Sequence, residues 1–216
     1  MNLAKLLQLA SPTLPVGAYS YSGGLEAAIE AGAVHDAASA ERWIGDALEF
    51  SLARMEGPVV FSFLCGFSRK DFAKVKETNE MFLASRESAE LRAETVQMGY
   101  SLNRLCKDLG LGEVPVQEPS FPAAFAYAAA QWQIEPEAAL QAYLWAWLEN
   151  QVMAAVKAVP LGQTDGQRIL FSLGGLLPSF ATKAMQLEDQ ELGNFAPGLA
   201  MMSSQHETQY SRLFRS

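Results

Sequence analysis

Apolar residues recur with a helical period along almost the whole chain. Over 86–109, RESAELRAETVQMGYSLNRLCKDL, Leu91, Met98, Leu102, Leu105 and Leu109 follow at steps of seven, four, three and four. That is one stripe of a 3.6-residue helix, with Arg86, Glu87, Glu90 and Glu94 mostly off it and expected away from the core. Ser85 is placed to cap the start of this helix, and Gly110 to stop it. Over 136–158, PEAALQAYLWAWLENQVMAAVKA, the stripe is Leu140, Leu144, Trp147 and Leu148, while Trp145 and Val152 carry apolar surface to other faces. A helix that is apolar nearly all round belongs at the centre of a fold. Pro136 suits its first turn. Pro160 ends it and holds Val159 extended.

The same reading predicts helices at 2–10, 23–32, 40–55, 58–68, 70–82, 122–133, 165–186 and 196–206. No long segment alternates with the two-residue period of a strand. The predicted fold is all-α: a single-domain multi-helix bundle of about ten helices. The irregular stretches, 11–22 and 110–121, are too short to separate domains.

Composition sharpens this picture. The chain has 216 residues, 50% hydrophobic and 19% charged, enough for one large core with low-charge contact faces left over. Its net charge of −8 argues against a nucleic-acid-binding face. Cys65 and Cys106 form no CxxC pair and read as buried thiols in a reducing compartment. Lys5 interrupts the short apolar run at the start, and 58–67 is too short to span a bilayer, so a cytoplasmic protein with no membrane partner is expected.

Searches for self-contained chemistry fail. His35 and His206 are the only histidines, and His206 with Glu207 supplies two metal ligands where about three or four must converge. In PLGQTDGQ (160–167), Gly162 and Gly166 are followed by Gln167 and Arg168, not by the Lys and hydroxyl that a phosphate loop needs. The segment reads as a helix–helix turn with Thr164 or Asp165 as cap, leaving Gln163, Asp165 and Gln167 as candidate contacts. No GxSxG elbow is present, and no histidine neighbours the serines of SPTLPVGAYSYSGGLE (11–26). That segment reads as an ordered loop. Tyr19 and Tyr21, two apart, share one side if the backbone is extended, and serve either as core anchors or as an interface.

The last segment, HETQYSRLFRS, has two readings. If helical, Tyr210, Leu213 and Phe214 make an apolar face flanked by Arg212 and Arg215, which suits docking in a partner's groove. Packing back on its own domain is the other. The residues taken alone favour a binding or scaffold protein over an enzyme. A helical small-molecule-binding regulator, with Trp145 and Trp147 lining a pocket, is the alternative.

Four stretches resemble the urease accessory protein F (UreF) family. They are LQLASPTLPVGAYSYSGGLEAAIEAGAV (7–34), ASRESAELRAETVQMGYSL (84–102), AYLWAWLENQVMAAVKAVPLGQTDGQRIL (142–170) and SSQHETQYSRLFRS (203–216). The resemblance implies an all-helical protein that is not an enzyme in its own right. It implies partners: accessory protein D (also called H), the GTPase UreG, apo-urease through the complex, and a second copy in a homodimer. Nickel would be cargo in transit, with no resident cofactor. The resemblance makes three patches candidates for these contacts. They are the loop with Tyr19, Ser20, Tyr21, Ser22, Gly24 and Glu26; the turn with Gln163, Asp165 and Gln167; and the tail with His206, Glu207, Tyr210, Arg212, Leu213, Phe214 and Arg215. The loop and the turn would face the GTPase or the dimer partner, and the tail (203–216) would dock on accessory protein D/H.

Overall fold

A computed structural model describes residues 3–216, and every regular element among them is helical. In chain order they are α1 (Leu3–Leu9), a 3₁₀ turn (Ala18–Ser20), α2 (Leu25–Glu30) and α3 (Ala37–Ala47). A π-helical segment (Leu48–Glu56) leads directly into α4 (Gly57–Arg69), followed by α5 (Phe72–Ala84), α6 (Ala89–Asp108) and α7 (Phe121–Gln131). Next come α8 (Pro136–Ala158), α9 (Gln163–Gly174), α10 (Leu177–Gln186), a 3₁₀ turn (Asp189–Glu191) and α11 (Pro197–His206).

The all-round apolar helix is the axis of the fold, as its composition predicts. α8 packs against α1, α2, α3, α4, α7, α9 and α10. Leu140, Leu144 and Leu148 are completely buried in one core cluster that draws on nearly every helix. α7, whose sequence FPAAFAYAAAQ is mostly alanine and aromatic, lies between α4 and α6. Small side chains allow the backbones to approach closely. A Cβ on Gly99 of α6 would lie 2.0 Å from the Pro119 carbonyl oxygen.

The irregular stretch before α7 has its buried polar groups satisfied by side chains. Asn79 donates to the Glu118 carbonyl (2.8 Å) and accepts from the Ser120 amide (2.9 Å). Thr95 accepts from the Phe121 amide at 3.1 Å.

Several boundaries differ from the expectation. Pro58 does not divide two helices: 37–69 is continuously helical because the chain widens to a π register just before the proline. Pro58 has no N–H to offer the Arg54 carbonyl four residues back. That carbonyl accepts from the Gly193 amide at 3.3 Å, and the Phe50 carbonyl accepts from Phe195 at 3.0 Å. The expected helix 165–186 is two helices, parted at Gly175–Leu176 just before Pro178. Ser88, not Ser85, caps α6, accepting from the Leu91 amide. α9 begins at Gln163, with Gly162 at its N-cap and Asp165 reaching back to the Gly162 amide (3.3 Å). Leu109 is exposed beyond the end of α6, and Cys106 takes the buried position instead. Both cysteines are free. Cys65 is partly exposed, and burial pushes the Cys106 thiol up to about 11. No helix among the described residues is long and apolar enough to cross a membrane.

Candidate functional site

The helix α11 stops at His206, and the tail that follows is non-helical. It folds back over the starts of α2 and α6, and carboxylates hold it there. Glu26, in the first turn of α2, accepts from the amides of Leu213 (2.6 Å) and Phe214 (2.9 Å). His206 is fully buried between two acids: Nε2 lies 3.3 Å from Glu26 and Nδ1 2.7 Å from Glu90. The second oxygen of Glu90 accepts from Arg212 at 2.6 Å. Arg212 in turn donates to the carbonyls of Gln209 and Glu207, which closes the turn.

The loop 11–24 supplies the other side of the clasp. The Ser22 amide and hydroxyl both donate to the Ser216 carbonyl (2.9 and 2.5 Å), and the Arg215 amide donates to the Ser20 carbonyl (2.8 Å). The Ser216 hydroxyl donates to Glu94 at 2.7 Å. Gly24 has φ +86, which favours glycine, and a Cβ there would sit 3.0 Å from the Ser203 amide nitrogen. α11 can therefore rest on the start of α2. Glu207 accepts from the Ala89 amide at 2.7 Å, placing negative charge at the N-terminus of α6.

The clasp sorts the candidate residues into two sets. Tyr21, Ser22, Gly24, Glu26, His206 and Phe214 are buried and build the clasp. Phe214 is 5% exposed, with the Lys157 ammonium 4.6 Å from its ring centre. Tyr19, Tyr210, Leu213 and Arg215 are exposed, Tyr210 fully and Leu213 at 59%, while Arg212, though at the surface, spends its guanidinium on Glu90 and the turn carbonyls and so belongs to the clasp. Tyr19 and Tyr21 do not share a side, because the 3₁₀ turn at Ala18–Ser20 breaks the extended backbone on which that expectation rested. Tyr210, Leu213 and Phe214 form no common face, because the tail is not a helix: Phe214 turns in and the other two turn out. Loop and tail are thus brought together. The third patch, at the start of α9, rests on α8 and α3, with Gly166 against Val156 and Asp165 paired with Arg168 at 3.2 Å.

Beneath the clasp lies an ion cluster that the sequence reading did not isolate. Glu56, where the π segment ends, accepts from Arg86 (2.7 Å) and from the Tyr143 hydroxyl (2.7 Å). Arg86 is almost wholly buried, with its guanidinium 5.1 Å from the Phe82 ring centre. Burial pushes the Glu94 carboxyl up to about 7, against the opposing pull of the Ser216 hydroxyl and Arg86. Burial likewise drives the Tyr143 hydroxyl well above its ordinary value, and the neighbouring Glu56 adds to the effect. These groups line a cavity of about 250 Å³ that also reaches Leu14, Tyr19, Met98 and Trp147. Glu90 and Glu94 lie off the apolar stripe of α6, as expected, yet make their contacts within the protein, because α6 is covered on that second side as well; Arg86, expected on the same helix, lies instead in the turn before it. The available signal was partial: Glu90 and Glu94, four apart, share one face of α6, but Arg86 lies in the turn before the Ser88 cap, where no helical spacing announces it. Among the described residues, no group of three or more His, Cys, Asp or Glu is arranged to hold a metal ion.

A profile of the UreF family matches residues 34–174. A protein of Azoarcus sp. (strain BH72) is 59% identical over 225 residues, spanning 100% of this chain and 96% of its own length. The chain belongs to the UreF family. Relatives from Dechloromonas aromatica (strain RCB) and Janthinobacterium sp. (strain Marseille) are 54% and 52% identical, each over at least 99% of the chain. All three are named urease accessory protein UreF. Both halves of the clasp, 19–26 and 206–216, fall outside the profile match to the UreF family but inside these full-length alignments.

Proposed function

We propose that this chain is a urease accessory protein acting as a non-catalytic cytoplasmic scaffold. It binds accessory protein D/H, and with it recruits and regulates the GTPase UreG for GTP-dependent nickel insertion into apo-urease. Two copies form the homodimer on which that assembly is built. Nickel passes through the assembly without a resident site on this chain.

One observation carries the docking part of this reading. The tail is anchored by its own backbone and by buried Phe214, yet it holds Tyr210 and Leu213 out in water, with Arg215 also exposed on the same segment. Exposed aromatic and arginine side chains on a pre-ordered segment are the usual anchors of an interface, because little conformational entropy remains to be lost on binding. The names of the relatives support the wider role.

Deleting the tail would remove Phe214 and strand Glu26, so loss of binding would be confounded with loss of stability. The double variant Tyr210→Ala, Leu213→Ala leaves the clasp in place. Its melting temperature should match the wild type. Capture of accessory protein D/H in a co-expression pull-down should fall at least tenfold, with urease activation falling in parallel. Wild-type capture by the double variant would refute docking through the tail.

A further inference from the structure

The cavity over the ion cluster opens between the loop 11–24 and α8, where Tyr19 and Met153 are exposed at its edge. At about 250 Å³ it has room for a small organic molecule. Three carboxylates and one guanidinium line it: Glu56, Glu94, Glu149 and Arg86. Arg86 and Glu56 are closed to an occupant. Glu56 accepts from Arg86 on one oxygen and from the Tyr143 hydroxyl on the other, both at 2.7 Å, and Arg86 Nε is sealed from water. The pair is also neutral. Glu94 is different. Its Oε2 accepts from the Ser216 hydroxyl at 2.7 Å, while Oε1 takes no donor from the protein and is not sealed. Glu94 keeps partial exposure deep in the fold because the cavity lies against it. Glu149, on the α8 wall, is partly exposed too.

These two carboxyls select the occupant. Burial pushes both of them up, and the pull of Arg86 on Glu94 does not cancel that push. Neither has a cation that compensates its charge. An anionic head is repelled, and an uncharged head leaves the negative charge unmet. A bare metal ion needs about three or four converging ligands, and among the described residues no such group is arranged to hold one. An organic cation suits the rest of the lining as well. Tyr19, Phe121, Tyr143 and Trp147 offer aromatic rings, whose faces attract cations, and Leu52 and Met98 offer apolar wall. We propose that this cavity is a binding site for a small organic cation. The fitting class is a primary ammonium on a short apolar body, with the ammonium on Glu94 Oε1 and the body against Met98 and Trp147. Its binding is a property of this chain alone and needs no partner.

Hexylamine, 1-hexanol and hexanoate share one apolar body and differ in the head, and the amine stays protonated below about pH 10. Each is titrated into the full chain by calorimetry at about pH 8, where Glu94 is mostly ionised, with the Trp147 indole N–H resonance followed by NMR. Hexylammonium should bind saturably, move that resonance, and bind at least tenfold tighter than the other two. The charged and titratable groups around Glu94 are Arg86, Glu56, Glu90, Tyr21 and Tyr143, with Glu149 on the same cavity wall. Hexylammonium affinity should rise about tenfold between about pH 6 and about pH 8, as Glu94 loses its proton. Glu94→Gln should remove most of that rise and weaken hexylammonium at least tenfold at the alkaline end, with hexanol binding unchanged. If that variant does not fold, Glu149→Gln should weaken hexylammonium at least threefold. The proposal is overturned if hexylammonium does not bind, or if hexanol or hexanoate binds as tightly. It is equally overturned if a folded Glu94→Gln, or a folded Glu149→Gln in its place, binds hexylammonium undiminished.

Discussion

Glu94→Gln should make this protein more stable at neutral and alkaline pH, although it removes a charged residue that accepts a hydrogen bond. Burial raises the Glu94 carboxyl from its ordinary 4.5 to about 7, with Glu56 and Glu90 adding to the effect and Arg86 and the Ser216 hydroxyl opposing it. Between those two values the folded chain keeps a proton that the unfolded chain has released. The folded state therefore binds more protons, and stability must fall as pH rises through this window. Each pH unit across the gap is worth about 1.4 kcal/mol, so ionised Glu94 costs the fold about 3 kcal/mol once the pH passes 7. Glutamine carries no charge, and its carbonyl still accepts from Ser216. Urea unfolding of both proteins at several pH values between about 5 and about 8 isolates the effect, because titrating groups remote from Glu94 cancel in the difference. The advantage of Glu94→Gln should be near zero at the acid end and grow to about 3 kcal/mol at the alkaline end. A difference that stays flat with pH, or a variant less stable at the alkaline end, would refute the assignment of that raised proton affinity to Glu94.

Gly99→Ala would drive a Cβ to 2.0 Å from the Pro119 carbonyl and 2.7 Å from the Ser120 carbonyl carbon. Both are backbone atoms with little room to retreat, so a loss of about 3 kcal/mol in urea unfolding is expected. Gly198→Ala meets nothing within 4 Å and should be neutral or slightly stabilising. Equal effects of the two would count against close α6–α7 packing. Glu26→Gln turns one of two acceptor oxygens into a donor facing the Leu213 and Phe214 amides. The tail contact should weaken by about 2 kcal/mol, which is roughly 30-fold faster hydrogen exchange at those amides. Exchange in α8 should be unchanged; an unaltered tail would mean that Glu26 does not hold it.

The helical content was legible because it rests on local chemistry. The stripe Leu140–Leu144–Leu148 and the alanine-rich 121–131 carry their periodicity in the chain itself, and each became a core helix. Boundaries failed where a long-range bond replaced a local one. The helix passes Pro58 because a carbonyl that would lack a donor finds Gly193, more than 130 residues further on. Ser88 caps α6 while its hydroxyl also meets Ser203 at 2.6 Å, which no local pattern announces. The candidate patches were legible as residue types but not as roles. Glu26 and Phe214 looked like contacts for a partner, and each holds the tail to its own domain.

The sequence by itself determined the helices, the central position of α8 and the family, because side-chain period, caps and matched motifs are properties of neighbouring residues. Only the tertiary structure decided which way the tail faces and that a ring of carboxylates fixes it. It alone put Glu56, Arg86, Tyr143 and Glu94 in one enclosed place. Those facts depend on pairs such as Glu26 with Phe214, separated by 188 positions. Whether a charge on a helix faces water or protein is set by what packs over it, and that information is held by other parts of the chain.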